Sequence, residues 1–64
     1  MNKKEIAEKL KKLRGDTPRE VVAKAVGISV SAISMYENGD RIPRDDVKIR
    51  IANYYNTPIS DIFF

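Results

Sequence analysis

Gly27 and Gly39 bracket one short stretch, Gly27-Ile28-Ser29-Val30-Ser31-Ala32-Ile33-Ser34-Met35-Tyr36-Glu37-Asn38-Gly39, and its punctuation leaves the chain few ways to fold. A glycine supplies the positive φ that ends a helix at a sharp change of direction, so each end of the stretch reads as a helix stop. Ser29 offers an N-cap oxygen to the segment between them, which predicts a short helix from Ser29 to about Asn38. Ile33 and then Tyr36 or Glu37 fall on its i, i+3, i+4 face, and Ile28 is expected to bury at the corner.

The stretch is preceded by a second start signal. Thr17-Pro18-Arg19-Glu20 reads as Thr at N-cap, Pro at N1 and Glu at N3, ahead of a helix to about Val26 with Val22, Ala23 and Val26 inward. Two helices joined by three or four residues have the spacing of a helix-turn-helix.

Asn2 followed by Glu5 begins a helix over about 3–14, with Ile6, Leu10 and Leu13 on one face and Gly15 as its terminator. Lys9, Lys11, Lys12 and Arg14 load its later turns, where the helix dipole favours cations. After the loop Asp40-Arg41-Ile42-Pro43, Asp45 or Asp46 starts a fourth helix through Tyr55, with Val47, Ile51, Ala52 and Tyr55 inward. Val47-Lys48-Ile49-Arg50-Ile51 also alternates with period two, the pattern of a half-buried strand, but it has no partner strand and follows a helix-start pair of aspartates. Thr57-Pro58 starts a last helix from Pro58 to about Phe63. The expected fold class is all-α: five short helices in one domain over 1–64, with helices 2 and 3 forming the helix-turn-helix.

Composition then removes whole classes of function. A chain of 64 residues has room for one core. It has no cysteine and no histidine, which excludes disulfide frameworks, zinc fingers, thiol nucleophiles and imidazole catalysis. Ser31 and Ser34 lack a neighbouring base, and Asp40, Asp45 and Asp46 have no metal-ligand spacing, so no enzyme, metal, cofactor or small-molecule ligand is expected. No apolar run approaches the ~20 residues of a membrane span, and no signal-type segment follows Met1 to Glu5. A cytoplasmic protein without membrane attachment is the expectation. Twelve basic against nine acidic residues leave a charge of +3 and a pI near 9.4, a balance that favours phosphate backbones.

A helix lying in the major groove shows its first turns to base edges. Here those positions are Val30, Ser31, Ala32, Ser34 and Met35, the expected base-contacting set. None is the Arg, Asn or Gln that makes bidentate base contacts; Val30 and Ala32 suit thymine methyls, and Ser31 and Ser34 suit single hydrogen bonds. Phosphate contacts are expected from Arg19, Ser29, Asn38, Arg41, Arg44 and Lys48, which are cations, or polar groups at helix ends, flanking that helix.

With the tail Tyr36-Glu37-Asn38-Gly39 followed by Arg41 and Pro43, and with Leu13-Arg14, Val22-Ala23 and Ile51-Ala52 through Ile62-Phe63, the chain resembles the Cro-like and lambda-repressor-like helix-turn-helix regulators of bacteria, phages and mobile elements. The likeness covers essentially the whole sequence. It implies a lambda-repressor-like fold that binds double-stranded operator DNA as a two-fold homodimer, with half-sites roughly 34 Å apart, and regulates transcription as a repressor. It also implies an ion pair between an arginine ending helix 1 and a glutamate ending helix 3, here Arg14 and Glu37. Family members often carry Ser-Gln where this chain has Pro18-Arg19, and Gln, Arg or Thr where it has Val30 and Met35. The apolar ending Ile62-Phe63-Phe64 makes Phe63 and Phe64 candidates for a dimer interface. It also keeps open an antitoxin-like or anti-repressor module that uses the same fold to bind protein.

Overall fold

The computed structural model describes residues 2–64, and its regular structure is entirely helical: α1 (Lys3–Arg14), α2 (Arg19–Val26), α3 (Val30–Glu37), α4 (Asp45–Tyr54) and α5 (Ile59–Phe63). Two helix starts use the caps written in the sequence. Asn2 Oδ1 accepts from the Glu5 amide at 2.9 Å while the Glu5 carboxylate accepts from the Asn2 amide at 3.5 Å, closing a capping box on α1. Ser29 Oγ accepts from the Ala32 amide at 3.0 Å and opens α3.

The two Thr-Pro starts work differently. Pro18 itself is the N-cap of α2, with φ −59° and ψ 143°, and no side chain caps that helix. Placing proline one position earlier carries the Thr17 hydroxyl out of reach of the first-turn amides; the Thr17 carbonyl instead accepts from Arg14 Nη1 at 2.8 Å. Pro58 likewise stands at the N-cap of α5, and the Thr57 hydroxyl donates back to the Tyr55 carbonyl at 3.0 Å.

Gly27 ends α2 in the left-handed region at φ 82°. Gly39 closes α3 with a Schellman pair, its amide on the Tyr36 carbonyl at 3.3 Å and the Asp40 amide on the Met35 carbonyl at 2.9 Å. Asn56, at φ 51°, closes α4 in the same way, with the Thr57 amide on the Ala52 carbonyl at 3.0 Å. Asparagine is among the few residues other than glycine that accept this conformation readily. The alternating segment after Asp46 is helix: Val47 and Ile51 are buried, whereas Ile49, which a strand would place beside them, is exposed.

One core serves all five helices. Ile6, Leu10, Val22, Ala23, Val26, Ile33, Val47, Ile51, Ala52, Ile62 and Phe63 form it, with Ile28, Tyr36, Tyr55 and Ile59 packed on its margin. Within it α1 packs on α3 and α5, α2 on α3 and α4, and α4 on α5. Leu13 departs from expectation at 38% exposed. Ile6, Ala7, Leu10 and Arg14 centre the inner face of α1, which leaves Leu13 at its edge. Phe63 also departs: at 3% exposed it is core, and its ring is not available to a partner, while Phe64 stands 64% exposed.

Candidate nucleic-acid interface

The orientation of α3 is set by a buried carboxylate. Glu37 is 2% exposed, and burying an unpaired carboxylate would be prohibitive. Arg14, ending α1, grips it bidentately, Nε to Oε2 at 2.7 Å and Nη2 to Oε1 at 3.0 Å. Arg19, starting α2, adds a third donor, Nε to Oε1 at 3.3 Å. The hydrogen bond to Glu37 holds the Arg14 guanidinium above its ordinary value against an opposing effect of burial. Three helices therefore meet at one carboxylate. The Tyr55 phenol faces the same cluster, and burial, reinforced by the negative charge of Glu37, pushes it up to about 12.

With Ile33 and Glu37 turned inward, Ser31, Ser34, Met35 and Asn38 follow the i, i+3, i+4, i+7 pattern of one outward stripe on α3. Val30 is exposed in the first turn and Ala32 is half-buried at the flank. The Ser29 oxygen, already accepting from the Ala32 amide, keeps its hydroxyl hydrogen for an outside acceptor.

The expected phosphate ligands separate into groups. Arg41 lies exposed in the loop after α3, and Arg44 lies exposed at the start of α4 with Asp46 at 3.6 Å. Asn38 is exposed at the end of α3. Arg19 is drawn inward: besides Glu37, its Nη1 donates to Ser34 Oγ at 3.3 Å, and the side chain is 36% exposed. Lys48 is engaged within the protein. Its side chain is 14% exposed, its ammonium lies 3.5 Å from Asp45, and it sits over the rings of Phe63 at 5.9 Å and Phe64 at 5.0 Å. The aromatic end of α5 attracts that cation and holds it there.

Arg50, outside the set expected from the sequence, braces the junction of α2 and α4. Its Nη1 donates to the Val26 carbonyl at 3.1 Å, and its Nη2 lies 3.5 Å from Asp46 Oδ2. The i, i+4 pairing with Asp46 was the visible signal; the reach across to α2 was not. Among the described residues no three metal-ligating side chains come together, and no helix is long and apolar enough to cross a membrane.

A helix-turn-helix family model matches residues 6–62, from the first buried residue of α1 to α5. No curated protein and no solved structure matches the chain. A match of that extent, over five helices with α2 and α3 joined through Gly27 to Ser29, places the chain in the lambda-repressor-like helix-turn-helix family of DNA-binding regulators.

Proposed function

We propose that residues 1–64 act as one DNA-binding unit that recognises a two-fold symmetric operator as a homodimer and represses a bacterial, phage or mobile-element gene in the cytoplasm. The observation that carries this reading is the outward stripe of α3, with Ser31 and Asn38 exposed and Ser34 and Met35 half-buried, followed in the chain by exposed Arg41 and Arg44. In the major groove Val30, Ser31, Ala32, Ser34 and Met35 meet base edges, and Ser29, Asn38, Arg41 and Arg44 meet phosphates. Such a surface reads thymine methyls and a few single acceptors, so affinity comes chiefly from the backbone and falls steeply with salt.

Selection from a random duplex pool followed by sequencing tests it. Enrichment of a symmetric sequence with half-sites roughly 34 Å apart is expected; a pool that stays random counts against it. One observation favours a second reading, a protein-binding module. Phe64 projects 64% exposed under a lysine, an apolar feature that DNA recognition by α3 does not use.

A further inference from the structure

Arg19 stands at the start of α2, where a cation facing a phosphate would be useful, yet two of its guanidinium nitrogens are engaged within the protein. Nε donates to Glu37 Oε1 and Nη1 donates to Ser34 Oγ, each at 3.3 Å. The first contact is an anchor, because Glu37 is 2% exposed and already held by Arg14. The second constrains Ser34. A guanidinium has donors only, so the serine oxygen accepts and its single hydrogen has to go elsewhere. A helical serine often donates back to the carbonyl four residues earlier. Ser34 makes no such bond to Val30, and among the described residues its hydroxyl has no hydrogen bond besides the one from Arg19.

We propose that Arg19 is a positioning residue that sets Ser34 as a hydrogen-bond donor toward DNA and is not itself a phosphate ligand. At the position Ser34 reaches, the free hydroxyl hydrogen then favours a base edge that presents an acceptor, such as guanine N7 or O6, adenine N7 or thymine O4, while the lone pair spent on Arg19 weakens the oxygen as an acceptor from the amino groups of cytosine and adenine. The inference rests on the proposed DNA binding and adds the residue pair that sets one element of its specificity.

The test takes the duplex selected by the wild-type protein, together with its single-base variants, and compares wild type, Arg19→Gln, Ser34→Ala and the double variant. Wild type discriminates at one position per half-site by roughly fivefold, the scale of one neutral hydrogen bond. Ser34→Ala flattens that position. Arg19→Gln flattens the same position, because an amide can either donate or accept and leaves the hydroxyl orientation open. The double variant is no flatter than either single one, and the salt dependence of Arg19→Gln matches wild type. Arg19→Lys guards against a folding defect: it keeps the charge beside Glu37, and its ammonium, donor-only like the guanidinium, retains the preference at unchanged salt slope. Retained preference in Arg19→Gln, with its slope shallower by about one unit, makes Arg19 a phosphate ligand and overturns the proposal. If wild type enriches nothing from the pool, DNA recognition itself fails and this inference with it; if wild type enriches and Arg19→Gln keeps the preference, this inference alone fails.

Discussion

At the scale of residues, Glu37 decides how α3 is presented. Arg14→Ala leaves the carboxylate buried with only the more exposed Arg19 at 3.3 Å, so a loss of about 2–3 kcal/mol is expected, below that of a fully orphaned buried charge. In a domain of this size that lowers the melting temperature by more than about 10 °C, readable by calorimetry; an unchanged melting point would separate Glu37 from stability. Arg19→Gln keeps the bidentate pair and is expected to cost less than about 1 kcal/mol. Tyr55 supplies a pH signature. Its phenol is raised to about 12 in the folded chain, against about 10 when unfolded. The folded state keeps the proton that the unfolded state gives up, so this contribution is whole below about pH 10 and is lost as pH rises toward about 12. Urea unfolding across that range should show a shallower alkaline decline for Tyr55→Phe than for wild type, and parallel curves would contradict the raised value.

At the scale of elements, the legible features were those in which a residue acts on adjacent backbone. Asn2 with Glu5, Ser29, Gly27 and Gly39 do in the structure what their sequence neighbourhoods predict, because each cap or turn closes within a few residues. The Thr-Pro pairs misled by a single register step, since a proline at N-cap and one at N1 look alike in sequence. Replacing each hydroxyl separates the cases. Ser29→Ala should cost about 1 kcal/mol and loosen the first turn of α3, whereas Thr17→Ala should stay within about 0.5 kcal/mol. Equal costs in thermal melts would contradict the observed caps. The side-chain partners of Arg19 and Lys48 were not legible, because Glu37 with Ser34 and Phe63 with Phe64 lie far along the chain from them. Leu13 shows that periodicity finds a face without showing where the core beneath it stops.

At the scale of the molecule, the chain ends with two adjacent phenylalanines of opposite fate. Phe63→Ala should cost about 3–5 kcal/mol, a large share of the stability of so small a domain. Phe64→Ser should leave monomer stability within about 0.5 kcal/mol and, where Phe64 lies in the interface of the proposed homodimer, weaken self-association, as sedimentation equilibrium would show; self-association unchanged by the substitution would remove Phe64 from that proposal. In the proposed complex α3, tied down through Glu37, meets DNA with its outward stripe. Backbone amide chemical shifts followed while the selected duplex is titrated in test this most directly. The expected result is that the largest changes fall on Val30, Ser31, Ser34, Met35 and Arg41, with Phe64 nearly still; changes centred on Phe64 and Lys48, with α3 unmoved, would contradict it.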